Sequence, residues 1–190
     1  MPLLFPIVRM THHNDTKKAL IFTDGACLGN GQPNPKAGFA FHHGLVRTEP
    51  AVVHGRLEQK GPFGDDAVQS SNRAELRAII AALRFRFWKG EGFDSLVIAT
   101  DSSYAVDGVT KWCKTWIKNG WQTNAKADVK NRDLWEALLG EVERAKGNGL
   151  TLYFWHIPRE WNIVADAAAR EGATRDDAPK DWQEIHGVAF

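Results

Sequence analysis

Cysteine is scarce in this chain, with two, Cys27 and Cys113, in 190 residues. Two are too few for a disulfide framework or a thiolate metal centre, and a single pairing between them stays open at the level of sequence. A reducing, intracellular setting fits that usage. The expected location is cytoplasm or nucleus, with an organelle not excluded. Long hydrophobic runs are missing too: nothing approaches the roughly 18 apolar residues of a bilayer span, so no membrane partner is expected. The opening residues 1–14 carry Leu3, Leu4, Phe5, Ile7 and Val8, but Pro2 and Pro6 interrupt them and no basic run precedes them, which argues against a secretory leader. Neither charge sign is in excess, with 24 Lys and Arg against 23 Asp and Glu. Nucleic-acid binding must therefore be argued from local clustering. Internal repeats and low-complexity tracts are absent.

What is present is an ordinary globular composition, 43% hydrophobic and 25% charged, in a length suited to one core. Residues 18–172 read as one folded domain, preceded by an extension over 1–17 and followed by a polar, loosely attached tail over 173–190.

The run KALIFT at 18–23 stops at Asp24-Gly25, which predicts a buried strand ending near 24. GNGQPNPK at 29–36 is dense in turn formers and reads as loop. Strands over 37–43 and 51–57, with turns at Gly44 and Glu49-Pro50, complete an antiparallel meander. Leu76, Ile79, Ile80, Leu83 and Phe87 recur at helical spacing, which predicts one helix over 72–88. LVIAT at 96–100 is apolar throughout, the form a strand takes when both sheet faces are covered. It ends at Asp101, and a helix follows. A helix over 134–145, a strand over 150–157 and a short helix over 162–170 capped by Asn162 finish the pattern. This order describes an α/β protein with a mixed sheet covered by helices. Trp112, Trp116 and Trp121 stand among Lys111, Lys114, Lys118, Lys126, Lys130 and Arg132, the one local basic cluster. Trp112 and Trp135 are assigned to the core, Trp116 and Lys118 to the surface.

Four acids each allow two readings. Asp24-Gly25 is also a turn signal. Asp101 stands where a helix N-cap is common. Glu75 follows Asn72 at capping-box spacing, and Asp166 lies among alanines in a helix, where acids are usually solvated. Singly, none decides the matter. Together they converge, because strands carrying Asp24 and Asp101 can lie side by side and project both acids into one crevice beside positions 75 and 166. Four carboxylates that close repel and cannot all ionise without compensating charge, and hard oxygen ligands suit Mg²⁺ or Mn²⁺.

These segments resemble the type 1 ribonuclease H family. The resemblance is carried by Phe22-Thr23-Asp24-Gly25, Ser71-Asn72-Arg73-Ala74-Glu75-Leu76, Thr100-Asp101-Ser102-Ser103-Tyr104, Ala165-Asp166 and the Trp-rich stretch, and it extends over about residues 18–172. It implies a catalytic domain there, with no separate hybrid-binding domain. The fold it implies is a five-stranded mixed sheet, three antiparallel strands then two parallel, flanked by helices. The activity it implies is hydrolysis of the RNA strand of an RNA–DNA hybrid by two Mg²⁺ ions, Mn²⁺ able to substitute, leaving 5′-phosphate and 3′-hydroxyl ends. Asp24 would bridge both ions, Asp166 would help hold one, and Glu75 with Asp101 the other.

His156 matches the family's position for a catalytic histidine. Its surroundings, Trp155-His156-Ile157-Pro158-Arg159-Glu160, lack the family's glycines and carry a proline, and Arg159 and Glu160 are neighbours that can share the task. Asn72 and Ser71 would read 2′-hydroxyls. Asn30 and Ser70 match phosphate-contacting positions, and residues 111–132 resemble a basic protrusion that grips the DNA strand through Trp116 and Lys118. A monomer suffices. Ser71 stands where the family usually has Asn, so cleavage of double-stranded RNA is an alternative activity, and a non-catalytic nucleic-acid-binding module is the alternative of a different class.

Overall fold

The structure, a computed structural model, describes residues 7–46 and 49–187. Its sheet is built on five strands: β3 (Asp15–Leu28), β4 (Lys36–Val46), β5 (Glu49–Arg56), β6 (Ser95–Thr100) and β7 (Thr151–His156), preceded by the two-residue strands β1 (Ile7–Val8) and β2 (Thr11–His12). β5, β4 and β3 pair antiparallel, and β3, β6 and β7 pair parallel. The expected three-plus-two arrangement is present, and β1 on β4 and β2 on β3 bring the sheet to seven strands. The apolar opening residues Leu3, Leu4 and Phe5 and the connection at 47–48 lie outside the described residues.

Several boundaries differ from the sequence reading; Glu49 and Pro50, for one, open β5 and pair with β4 rather than turn the chain. β3 does not stop at Asp24 but pairs with β4 as far as Leu28. Nor does Gly44 turn the chain: β4 continues to Val46, and the irregularity is a shift of register between His42 and Leu45. A bulge absorbs the glycine where a turn was expected.

Helices cover both faces. α1 (Ser71–Arg84) packs on β3 and β4, next to α4 (Arg132–Gly147), while α5 (Ile163–Thr174) packs on β3, β4 and β5. Strand alternation separates the two layers: Ile21, Phe39 and Phe41 join Leu76, Ile79 and Ile80 of α1, whereas Ala26 and Ala40 meet Ala168 and Ala169 of α5. Each fully buried Leu or Ile of α1 contributes about 1.5–3 kcal/mol, so packing rather than propensity holds this helix in place. The helix is shorter than its periodicity suggested. It ends at Arg84, after which Trp88 folds back to donate its indole N–H to the Ala82 carbonyl at 2.9 Å, leaving Phe87 exposed.

Between β6 and α4 run α2 (Ser103–Asp107), one π turn (Gly108–Trp112) and α3 (Cys113–Lys118). The C-terminal segment is docked rather than loose: the Gln59 N–H donates to the Pro179 carbonyl, Arg84 pairs with Glu184, and Trp182 packs on the core. Cys27 and Cys113 are both free. Among the described residues no helix is long and apolar enough to cross a membrane.

Candidate active site

Parallel pairing aligns the first two acids. β3 and β6 run side by side with Phe22 opposite Ala99, so both strands lead in the same direction toward Asp24 and Asp101. Asp24 lies within β3, opposite Ala40 of β4, and is 4% exposed. α1 crosses β3 at Gly25, where a Cβ would collide with the backbone of Ala74 and Glu75. The glycine is there to admit a helix backbone rather than to make a turn, and its absence of side chain brings Glu75 beside Asp24.

The capping alternatives for two acids are overturned by neighbouring serines. Ser70 opens α1, its Oγ accepting from the Arg73 N–H at 3.3 Å, so Glu75 is free of a capping box with Asn72. The Glu75 carboxylate instead accepts from the Thr100 hydroxyl at 3.5 Å. Ser102 rather than Asp101 caps α2. Asn162 stands at the start of α5 but makes no side-chain cap bond. Its amide donates to the Thr23 carbonyl at 3.0 Å and to Asp101 Oδ1 at 2.8 Å, tying β3, the end of β6 and α5 together under the site.

Carboxylate oxygens of Asp24, Glu75 and Asp101 lie within 4.8 Å of one another. Asp166, on α5, lines the same cleft together with Ser71, Arg159 and Arg170. Its two oxygens face arginines: Oδ1 accepts from Arg159 Nη2 at 2.6 Å and Oδ2 from Arg170 Nε at 2.8 Å. Three acids therefore form one cluster, and the fourth forms the cleft wall.

Burial raises the pKa of Asp24 from 3.8 to about 7, with the charges of Asp101 and Asp166 adding to the effect. Glu75 is raised as well, by burial first and then by Asp24 and Asp101. Among the described residues no Lys or Arg forms an ion pair with either acid. Clustered hard oxygens short of positive charge are a donor set that a divalent cation fits. Asn162 Oδ1 and Thr23 Oγ1 are buried without hydrogen-bond partners.

The remaining sequence-predicted residues divide into two groups. Near the cleft, the exposed Asn30 accepts from the Ser71 N–H at 3.4 Å, Ser70 and Ser71 are half-buried, and Asn72 is exposed. His156 ends β7 opposite Thr100, exposed, with Nε2 3.2 Å from the Asp101 carbonyl oxygen. The cleft wall holds Arg159 rather than His156. Trp116 and Lys118 stand apart on α3. Trp135 lies in the core as expected, but the other two tryptophans differ: Trp116 is half-buried against Trp135, ring centroids 5.5 Å apart, while Trp112 is 37% exposed. The π turn at Gly108–Trp112 adds a residue to the helical register, and Gly108 lies directly against the Trp135 ring.

Sequence reasoning missed the braces of the site. Arg170 was within reach, since it follows Asp166 by four residues, the spacing of a helical ion pair. The bond from Asn162 to Asp101 crosses 61 residues, and no local signal announces it.

Comparison with known proteins agrees with this geometry. The RNase H family model matches residues 16–174. The ribonuclease H of Treponema pallidum is 37% identical over 164 residues, covering 82% of this chain and 90% of the relative. That of Alcanivorax borkumensis is 38% identical over 159 residues, covering 82% and 91%. Among solved structures, LC11-RNase H1 in complex with an RNA/DNA hybrid is similar in fold, with a TM-score of 0.53 at 21% identity over 81% of this chain and 95% of that one. With most of its length matched by the model and by these relatives, the chain belongs to the RNase H family of ribonuclease enzymes.

Proposed function

We propose that the chain is an endonuclease that hydrolyses the RNA strand of RNA–DNA hybrids, leaving 5′-phosphate and 3′-hydroxyl ends. The observation that carries this reading is the cluster of Asp24, Glu75 and Asp101 oxygens within 4.8 Å in a chain of this family. The LC11 neighbour was solved with an RNA/DNA hybrid, which supports the same substrate class here.

Asp24, Glu75, Asp101 and Asp166 would hold two Mg²⁺ ions, with Mn²⁺ able to substitute; when bound, such ions supply an activated water and neutralise charge on the reacting phosphate. The chain's own side chains do the positioning. Asn162 fixes the direction of the Asp101 carboxylate through its 2.8 Å bond. His156 acts through the same residue, whose carbonyl its ring meets. Ser71 and Asn72, in the first turn of α1, read the 2′-hydroxyls that distinguish RNA. Asn30 and Ser70 contact phosphates beside them, and Trp116 with Lys118 on α3 follows the DNA strand. Residues 18–172 form the catalytic unit, acting as a monomer.

Cleavage of a labelled hybrid and of the matched double-stranded RNA, with Mg²⁺, with Mn²⁺ and with chelator, tests this reading. Metal-dependent cutting confined to the hybrid's RNA strand is expected. Equal cutting of both duplexes would replace hybrid specificity with general duplex cleavage, and no cutting would reduce the chain to a binding module.

A further inference from the structure

One guanidinium spans two of the four acids. Arg159 Nη2 lies 2.6 Å from Asp166 Oδ1, and its Nη1 lies 3.8 Å from Asp101 Oδ2. Arg170 holds the other Asp166 oxygen, so both Asp166 oxygens are paired with arginines, and Asp166 stands outside the 4.8 Å cluster of Asp24, Glu75 and Asp101. Arg159 stands on a one-turn helix, Arg159–Trp161, directly after Pro158, whose fixed φ sets the direction in which the turn starts. The arginine thus enters the cleft from the segment joining β7 to α5, and it lines the same wall as Asp166. Its side chain is 65% exposed, so the pair can open at small cost.

We propose that Arg159 is a built-in counter-cation that occupies the Asp101–Asp166 side of the cleft and competes there with a divalent ion. The inference rests on the metal reading given above. In the absence of metal, Arg159 offsets part of the repulsion between Asp101 and Asp166. A divalent ion that uses Asp166 must displace it, whereas an ion held by Asp24, Glu75 and Asp101 alone need not. The two ions are therefore expected to load at different concentrations, and Arg159 sets the interval. It is a positioning residue, acting on the acids rather than on the substrate.

The test is Mn²⁺ binding without substrate, followed by calorimetry and by the electron paramagnetic resonance signal of free Mn²⁺, on wild type, Arg159→Ala and Arg159→Lys. Melting curves in metal-free buffer check that each variant is folded. Arg159→Ala is expected to bind the weaker Mn²⁺ ion about fivefold more tightly, the factor that matches loss of a partly exposed ion pair. Arg159→Lys keeps the charge without the two-pronged fork and is expected to fall between the other two. Unchanged or weaker binding in Arg159→Ala would overturn the proposal while leaving the metal site standing. Absence of Mn²⁺ binding in all three folded proteins would overturn this proposal and the metal reading together.

Discussion

Two of the places where this molecule buries charge treat it in opposite ways. Under the tail, Arg77 and Glu58 are 1% and 2% exposed and bonded to each other, Nη2 to Oε1 at 2.6 Å and Nε to both oxygens at 3.0 Å. The guanidinium is packed between the rings of Phe39, at 4.6 Å, and Trp182, at 4.0 Å, and it also donates to the Gln183 carbonyl. At the cleft, Asp24 and Glu75 are almost as deeply buried, yet they face other acids. The first arrangement meets a buried charge with an opposite charge, hydrogen bonds and ring faces. The second leaves the demand open, which is what a fold does where an incoming cation is to supply the missing charge.

The comparison breaks most visibly in activity. Asp24→Asn removes a charge from the unpaired cluster, and hybrid cleavage is expected to fall by about a thousandfold or more, as for groups that act as one catalytic unit. Its melting temperature in metal-free buffer should not fall, because one source of repulsion is gone. Arg77→Met does the reverse. Leaving Glu58 buried without its partner costs about 3–5 kcal/mol, read as a lowered denaturant midpoint, while cleavage per folded molecule stays close to wild type.

A smaller effect sharpens the contrast through pH. Asp24 titrates at about 7 in the folded chain against 3.8 for the free group, so the folded state holds this proton more tightly than the unfolded one. The stability this group contributes is full below about pH 4 and is lost as pH rises to 7. Without metal, the melting temperature of Asp24→Asn relative to wild type is therefore expected to rise across that window. Parallel melts of both proteins at pH 4, 5.5 and 7 check the sign. Smallest is Trp182→Ala, which removes one face of the arginine sandwich and should cost about 2 kcal/mol by chemical denaturation, with cleavage unchanged.

The contrast also separates what could be read from the sequence from what could not. Of the four acids only Asp101 stands at an element boundary that periodicity can locate; Asp24, Glu75 and Asp166 lie inside β3, α1 and α5, and the family-like segments around them singled them out. Their local surroundings were misleading. Asp24-Gly25 looks like a turn, but the glycine answers to the backbone of α1, a contact 50 residues away in the chain. Glu75 and Asp101 look like caps until Ser70 and Ser102 are seen to take that work. Arg77 gave no signal at all, since an arginine within a helix reads as solvated unless its partners Glu58 and Trp182 are known. Sequence period reports which face of an element is apolar, while buried polar contacts depend on which elements meet, and only the fold decides that.

The central claim, that the acid cluster is incomplete without a divalent cation, is tested most directly by thermal melts at pH 7 with and without Mn²⁺. Wild type is expected to gain stability as Mn²⁺ is added, and Asp24→Asn to gain little or none. Equal gains in the two proteins, or none in wild type, would contradict the account.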